Sequence, residues 1–256
     1  MLAGLAARPA AGQTPSAVEI MRRAYFVSRV RDSTSNATLT LVNAAGQERV
    51  RRLSSVTRLR EDGVRQMRMA RFLYPPDIKG TATLMIEQAD RDDDMWVYLP
   101  AVGKTRRLVS NNKRDSYVGT DFSYGDIIGH KVEDYTHRLL ASEPVEEVEC
   151  FVVESTPASD RVRRDSGYGR QVWWVRKDNY VAAKTEGYDL QGKLFKRLTA
   201  SDIRLVDPEH GRWQPMRLEM VNVQTGHRTV LSYEQFKANV GVEPSFFTTR
   251  YLEKEF

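Results

Sequence analysis

Histidine, cysteine and carboxylate side chains could carry chemistry in this chain, and the first two types are few. The histidines and the single cysteine are His130, His137, His210, His227 and Cys150. No histidine has a second one at the spacing of a metal site, and no phosphate-binding or nucleophile motif occurs. Cys150 lies in the strand-like run ECFVV, where a lone cysteine is usually a small core residue. One cysteine also excludes an intrachain disulfide.

Two groups of acidic residues have alternative interpretations. Asp121 and Asp126 flank the run FSYG and could act as paired carboxylates in acid–base chemistry. We favour a structural role, in which Thr120 or Asp121 caps a short helix and Asp126 lies near its end. The run DRDDD (90–94) lacks the glycine and the closing glutamate of a calcium loop, so we interpret it as a solvated hairpin tip. The sequence therefore predicts no enzyme, no metal site and no cofactor.

Charge and hydropathy limit the classes of partner. The net charge of +5 comes from basic residues that are spread along the chain. No aromatic and basic interleaving of the RNA-binding type, no zinc-finger spacing and no basic helix is present, so we expect no nucleic-acid partner. Anionic lipid head groups are equally consistent with the charge, which leaves peripheral membrane contact open. No run of 18 apolar residues exists, so no transmembrane helix is expected.

The first residues differ in composition from the rest. Residues 1–13, MLAGLAARPAAGQ, are rich in alanine and contain no acidic residue, like the end of a secretory signal. We predict that they are a signal-peptide remnant or a disordered tail, and that residues 14–256 form a single domain. A helix is predicted to begin after Thr14-Pro15-Ser16 and to run to about Arg29, because a cap, an early proline and apolar residues at helical spacing coincide.

Beyond the helix, the hydrophobic pattern has the period of two that is typical of strands. It occurs in segments 38–41, 66–70, 83–87, 95–99, 105–109, 148–155, 171–176, 181–188, 194–205, 216–223 and 229–233. About ten or eleven strands in meander order are therefore predicted, and such a sheet must curl or close to hide its edges. Segment 155–169 is predicted to be a long mobile loop.

A dense composite motif occupies residues 72–128 and carries a resemblance to a known family. Its parts are PPDIKGTATL, DDDMWVYLP and SYVGTDFSYGDI, and GYDLQGKLFK, TGHRTVL and FFTTRYLE follow later. From about Val18 to Leu252 the chain resembles the LolA-like family of outer membrane lipoprotein-sorting proteins. Gly125 departs from the family pattern, because relatives often carry an acidic residue there.

The resemblance implies a mainly β (α+β) fold, an incomplete antiparallel β-barrel of about 10–11 strands whose open side is covered by an N-terminal helix and short helices. It implies a periplasmic protein of a Gram-negative envelope that holds acyl chains of lipids or lipoproteins in an apolar half-barrel cavity, for transfer towards the outer membrane. An inner-membrane transporter of the resistance-nodulation-division (RND) type is an implied partner, and a monomer is expected. The alternative function is a periplasmic adaptor that docks on such a transporter and carries nothing.

Candidate lipid contacts follow from the apolar residues of the predicted strands. The candidates for the cavity lining are Leu39, Leu41, Met67, Met69, Leu84, Ile86, Met95, Trp96 and Tyr98, and Phe122 and Tyr124 are candidates for its mouth. Flexible methionines suit irregular space. Each of these residues could equally belong to the barrel core, because strand register decides which face a side chain occupies.

Overall fold

A computed structural model describes residues 14–254 and shows how the strands pair. Thirteen antiparallel strands form one sheet. They are β1 (Asp32–Val42), β2 (Glu48–Leu59), β3 (Gln66–Tyr74), β4 (Ala82–Ile86), β5 (Asp94–Leu99), β6 (Lys104–Leu108), β7 (Tyr135–Val145), β8 (Val148–Pro157), β9 (Arg170–Arg176), β10 (Ala182–Tyr188), β11 (Leu194–Asp207), β12 (Arg212–Asn222) and β13 (His227–Ala238).

Four α-helices and several 3₁₀ turns accompany the sheet in the described part of the chain. The helices are α1 (Ala17–Phe26), α2 (Tyr124–Ile128), α3 (Asp160–Ser166) and α4 (Thr249–Leu252). The 3₁₀ turns are Pro100–Val102, Ser110–Arg114, Tyr117–Gly119, Val132–Asp134 and Pro244–Phe246. Helix α1 begins as predicted, because the Ser16 hydroxyl accepts from the Glu19 amide. Residues 1–13, the predicted signal remnant or tail, lie outside the described residues.

The strand order leaves the sheet open. Neighbouring strands in sequence are neighbours in the sheet, except that β1 pairs with β13, while β6 and β7 are the two edges. The chain therefore starts in the middle of the sheet, builds one half outward to β6, crosses over through residues 109–134, and builds the other half back from β7. We call residues 109–134 the connector. The incomplete antiparallel barrel predicted from the sequence is confirmed.

The predicted number of strands was too low. Strand β2 was missed because serine, threonine and arginine fill it, so that hydrophobic alternation is absent. Strand β7 was missed because it is an edge strand with a mostly exposed surface. The predicted mobile loop at 155–169 is also wrong, since it contains the end of β8 and all of α3. Cys150 is fully buried, which confirms its place in the core.

Three segments cover the two faces of the sheet. On the inner face, connector residues Tyr117, Phe122 and Tyr124 pack with residues of β1–β6, such as Leu39 and Phe72. Helix α1 lies on the same face over β7–β9 and packs through Ile20 and Met21. On the outer face, the C-terminal segment 239–254 covers β3–β5, with Val242, Phe247 and Leu252 packed on Met69 and Leu84.

Buried polar groups fix the C-terminal segment to the sheet. The Asp32 carboxylate, 1% exposed, accepts from the amides of Gly241 (2.8 Å) and Val242 (3.2 Å). The Arg71 guanidinium donates to the carbonyls of Tyr251 (2.9 Å) and Leu252 (3.0 Å), which belong to the last turn of α4. A cation at the carbonyl end of a helix is favourable, since these carbonyls have no partner within the helix.

A buried ion pair joins Arg29, which lies just after α1, to Glu87, which directly follows β4. Arg29 donates to both carboxylate oxygens of Glu87, at 2.9 and 2.7 Å, and the two side chains are 8% and 4% exposed. The Tyr25 hydroxyl (2.9 Å) and the Gln66 amide (3.1 Å) also donate to Glu87. The carboxylate is therefore fully hydrogen-bonded, which a charge out of water requires.

We expect Arg29→Met to lower the free energy of unfolding by about 3–5 kcal/mol, because it leaves the Glu87 charge buried without its cation. Urea unfolding followed by circular dichroism measures this. The matched control is Arg138→Met, whose ion pair with Glu154 is largely exposed on the arginine side, and which should cost at most about 1 kcal/mol. Equal costs for the two variants would contradict a structural role for the buried pair.

Candidate functional site

A cavity of about 310 Å³ lies between the inner face of the sheet and the elements that cover it. Helix α1 contributes Met21, Ala24 and Tyr25, and the connector contributes Phe122 and the stretch 126–132. The remaining walls come from the inner faces of strands β1–β3 and β7–β13. The cavity exists because the connector fills only the β1–β6 half of the inner face, while α1 covers the edge of the other half.

The centre of the cavity wall is apolar. It is formed by Leu198 on β11, Leu218 and Met220 on β12, and Leu231 and Tyr233 on β13. Residues two apart on a strand share a face, which places both members of each pair in the cavity. Register then aligns them, since Leu218 pairs with Leu231. This apolar centre offers a hydrocarbon chain a surface that excludes water.

Polar side chains flank the apolar centre on one side, along β1 and β2. The hydroxyls of Ser33 and Thr57 lie 2.7 Å apart, and those of Ser35 and Ser55 lie 2.9 Å apart. All four line the cavity and are buried. Because these hydroxyls are register partners on neighbouring strands, each has a hydrogen-bond partner within the wall.

A second polar wall lies on the other side, along β7–β10. Its members include His137, Ser155, Gln171 and Thr185. Burial lowers the pKa of His137, so the ring is neutral at neutral pH. Its Nε2 then donates to the Val132 carbonyl (2.9 Å), and its Nδ1 accepts from the Ser155 hydroxyl (2.8 Å). This wall is held in place by hydrogen bonds between the sheet and the connector.

Asp126 organises the floor of the cavity where the connector meets β11. Its carboxylate accepts from the Tyr168 hydroxyl (2.9 Å), the Lys196 ammonium (3.1 Å) and the Ser123 amide (2.8 Å). Burial alone would raise the pKa of Asp126, but the Lys196 charge, and after it His130 and the Ser123 amide, hold that pKa far below its usual range. Burial and the Asp126 charge raise the pKa of Tyr168 well above its usual value, so it remains a donor.

The helix around Asp126 differs from the prediction. Ser123 is the N-cap of α2, and Asp126 occupies the third helical position, where its side chain returns a bond to the Ser123 amide. This reciprocal capping box explains why an acidic residue stands there. Asp121 lies before the helix and does not cap it. Its carboxylate accepts a hydrogen bond from the Thr229 hydroxyl (2.7 Å).

Gly187 is required by the position of Tyr168. A Cβ at residue 187 would lie 2.5 Å from a ring carbon of Tyr168, which is closer than real contacts allow. The absence of a side chain on β10 therefore lets the ring lie over the strand and reach Asp126. Gly125, where the family resemblance predicts an acidic residue, sits against the Lys113 carbonyl, 3.1 Å from an added Cβ.

The run of aspartates is only in part the solvated hairpin tip that the sequence suggests, since Asp90 and Asp92 are exposed but the last two aspartates are not. Asp93 and Asp94 are 4% and 6% exposed. Asp93 accepts a hydrogen bond from the Lys113 ammonium (2.6 Å) and forms an ion pair with the Lys131 ammonium (3.0 Å), and both lysines belong to the connector. Burial acts to raise the pKa of Asp93, but Lys113 in particular lowers it below its usual value. These bonds fix the connector to the β4–β5 hairpin.

Among residues 14–254, no cluster of His, Cys, Asp and Glu could hold a metal ion.

The candidate lipid contacts fall in three places. Phe122 lines the cavity. Leu39, Leu41, Met95 and Tyr124 belong to the inner core that the connector covers. Met67, Met69, Leu84, Ile86, Trp96 and Tyr98 lie in the outer cluster, under the C-terminal segment. The cavity reaches neither group, and contact of these residues with an acyl chain stays a prediction.

The residues that do form the apolar centre lie on strands whose existence was predicted. In RLEMV (217–221), alternation separates Leu218 and Met220 from Arg217 and Glu219. This alternation indicates one apolar face, but a core face and a cavity face have the same signal. The polar walls carry no recognisable sequence signal, since serine and threonine on a strand usually indicate a solvated surface.

Comparisons with known proteins agree with this architecture. A family model described as "Uncharacterized protein" matches residues 65–254. A DUF1329 family protein from Desulfovibrio piger is 28% identical, with a TM-score of 0.85, over 92% of this chain and 97% of that chain. A domain from Vibrio parahaemolyticus that is assigned to outer membrane lipoprotein sorting is 29% identical, with a TM-score of 0.85, over 93% of this chain and 98% of that chain.

A LolA superfamily protein from Nitrosomonas europaea has the same fold, with 23% identity, a TM-score of 0.71, and coverage of 93% of this chain and 100% of that chain. No curated protein matches the sequence. The open antiparallel barrel with its covered inner face is thus the LolA-type fold. The chain belongs to the LolA-like family, as the sequence motifs indicated.

Within residues 14–254, no helix combines the length and the apolar character that a membrane span requires.

We expect Asp126→Asn to lower the free energy of unfolding at pH 7 by about 3 kcal/mol, because Lys196 loses its buried partner. The folded-state pKa of Asp126 is depressed, so its stabilisation is present above the unfolded pKa of about 4 and is lost as pH falls below it. The difference between variant and wild type should therefore shrink between pH 5 and pH 2, as urea unfolding across that range measures. Asp77→Asn, at an exposed residue, is the control. A difference that does not change with pH would contradict this account.

Proposed function

We propose that the protein is a periplasmic carrier that binds an acyl chain of a lipid or lipoprotein in the cavity and transfers it towards the outer membrane. The observation that carries this proposal is the cavity itself, with an apolar centre on β11–β13 and a lid made of α1 and the connector. The LolA-type fold and the lipoprotein-sorting assignment of the Vibrio parahaemolyticus relative support it.

The energetics suit a carrier. Burial of an acyl chain gains about 0.8 kcal/mol per CH₂, or roughly 13 kcal/mol gross for sixteen carbons. The loss of conformational freedom in the acyl chain and in the protein removes several kcal/mol of this gain. The polar walls on both sides of the apolar centre reduce the gain further, because part of the chain lies against hydroxyl and amide groups. A ligand that must be released again requires such moderate binding.

We propose that the protein transfers its ligand without catalysing a reaction. Asp121 and Asp126, the carboxylates considered for acid–base chemistry, both serve structural roles in hydrogen-bonded networks. The sharpest test is hydrolase activity on esters and amides of envelope lipids. Activity that disappears in Asp121→Asn or Asp126→Asn, while the variants remain folded, would contradict the proposal.

A carrier and a docking adaptor differ in what they bind. Native mass spectrometry of protein purified from its own envelope should show a co-purified lipid or lipoprotein acyl chain on a monomer. A fluorescent acyl probe should increase in emission on entering the cavity. Absence of both signals would contradict the carrier and favour the alternative, a non-carrying adaptor of an RND-type transporter. Cross-linking in the envelope then identifies the transporter.

We expect Leu198→Trp to reduce the affinity for a fluorescent acyl probe by at least about tenfold, because the larger ring fills the apolar centre of the cavity. The matched control is Leu205→Trp on the same strand, where the leucine is 43% exposed and does not line the cavity. Fluorescence titration measures both affinities, and thermal melting verifies that both variants fold. Equal affinities in the two variants would place the acyl site elsewhere.

An exposed apolar surface supports peripheral contact with a membrane. Tyr74, Leu99 and Val102 are 46%, 39% and 60% exposed and lie at the end of the sheet where β3 and β5 finish. The two turns are adjacent, since Pro100 would contact a Cβ at Gly80 at 3.4 Å. We call these three residues and the turns beside them the apolar tip. Lys79 and Lys104 are exposed beside it, and such a combination favours anionic lipid surfaces.

We expect Val102→Asp to weaken binding to vesicles that contain anionic lipid, because it places a negative charge in the apolar tip. Cosedimentation at low and high salt measures the effect, and binding of the wild type should fall as salt rises. Val240→Asp, at a valine 49% exposed in the C-terminal segment, is the control and should bind as the wild type does. Equal binding by all three proteins would exclude the tip as the contact.

A further inference from the structure

The polar wall along β9 and β10 contains hydrogen-bonding atoms that the protein leaves unused. Four buried side-chain atoms that line the cavity have no hydrogen-bond partner among residues 14–254. They are His130 Nε2, Gln171 Oε1, Trp173 Nε1 and Thr185 Oγ1. Gln171 and Thr185 are 4% and 5% exposed, so bulk water does not reach them freely. A buried polar group without a partner costs free energy, and native proteins have few of them.

These atoms form one patch. Thr185 is the direct register partner of Trp173, and Gln171 lies two residues from Trp173 on the same face of β9. The His130 ring packs edge-on against Trp173, with 6.5 Å between the ring centres. The Asp126 carboxylate lies 3.8 Å from His130 Nε2, a distance within the range of an ion pair but too long for a hydrogen bond. We call these four residues the open polar patch.

The chemistry of the patch defines what it could bind. Gln171 Oε1 accepts, Trp173 Nε1 donates, Thr185 Oγ1 does either, and His130 Nε2 depends on its tautomer. The charges beside it are already paired: Lys196 with Asp126 at 3.1 Å, and Lys131 with Asp93 at 3.0 Å. The patch therefore offers both donors and acceptors but no free charge.

The opposite wall provides an internal comparison. There the hydroxyls of Ser33, Ser35, Ser55 and Thr57 bond in pairs, so each of them has a partner on the neighbouring strand. The apolar centre on β11–β13 separates the two walls. An amphiphile whose chain lies on the apolar centre would place its polar end against the open polar patch, because the atoms of that patch have no hydrogen-bond partner within residues 14–254.

We propose that the open polar patch binds the uncharged polar end of the carried amphiphile, a group with hydroxyl, amide or ester functions, and thereby selects neutral over anionic head groups. This inference rests on the proposed carrier function and adds the class of ligand. The competing position is Arg68 on β3, which lines the far end of the cavity and donates to Gln66 Oε1 at 3.1 Å. An anionic head group would favour Arg68 instead.

Displacement of a fluorescent acyl probe by two ligands of equal chain length tests the proposal. The ligands are 1-monopalmitoylglycerol, which is neutral, and hexadecyl phosphate, which is anionic. We expect the wild type to bind the neutral ligand more tightly. Thr185→Val and Gln171→Leu keep the size of each side chain. Each should lower the affinity for monopalmitoylglycerol by about tenfold, with little effect on the affinity for the probe or for hexadecyl phosphate. Thr199→Val, on the outer face of the neighbouring strand β11, is the matched control.

Stability of the free protein provides a second measurement that does not depend on binding. Removal of an unpartnered buried hydroxyl should leave the melting temperature of Thr185→Val equal to or higher than that of the wild type. A marked decrease would show that the hydroxyl has a structural partner and would overturn the inference.

The outcomes separate the two proposals. If the wild type does not bind the acyl probe, the carrier function is wrong. If the probe binds but hexadecyl phosphate is preferred, or the Thr185 and Gln171 variants retain the affinity for monopalmitoylglycerol, then the carrier stands and the head-group assignment is wrong. If the wild type prefers hexadecyl phosphate and Arg68→Met removes that preference, the head group lies at Arg68 and not at the open polar patch.

Discussion

An open sheet of thirteen strands has an inner face that would be wetted unless other elements covered it, and this constraint shapes the whole molecule. The connector satisfies it for one half, because it must cross from edge strand β6 to edge strand β7 in any case and carries Tyr117, Phe122 and Tyr124 into the core on the way. Helix α1 covers the edge of the other half. The cavity is the part of the inner face that neither element fills.

Buried charges hold these covering elements in register with the sheet. Asp93 binds two lysines of the connector, Asp126 binds Lys196 of β11, and Glu87 binds Arg29 beyond α1. Each carboxylate accepts several hydrogen bonds, which offsets the cost of removing it from water. Electrostatic attachments of this kind fix position more strictly than apolar contacts do, because a shift of one residue would leave a charge unpaired. They therefore define the walls of the cavity.

The cavity combines an apolar centre with two polar walls that differ in one respect. The hydroxyls of β1 and β2 bond to each other in pairs, whereas Gln171, Trp173 and Thr185 on β9 and β10 have atoms without partners within residues 14–254. This asymmetry gives the cavity a direction along the sheet. A carrier with such a cavity would hold its ligand in one orientation, and the exposed apolar tip at the ends of β3 and β5 is the separate surface that we propose for contact with a membrane.

The sequence by itself determined the features that depend on neighbouring residues. The cap at Ser16 and helical spacing defined α1, period-two alternation defined most strands, and the motifs from PPDIKG to SYVGTDFSYGDI defined the family. Only the tertiary structure decided which face of each strand meets the cavity. Trp96 and Tyr98 lie on the outer face while Met95 lies inside, and both faces are apolar because the C-terminal segment covers the outer one. The tertiary structure also buries residues whose types suggest exposure, such as Asp93 and Thr185. Their burial could not be predicted, because the partners or the cavity that surround them come from segments distant in sequence.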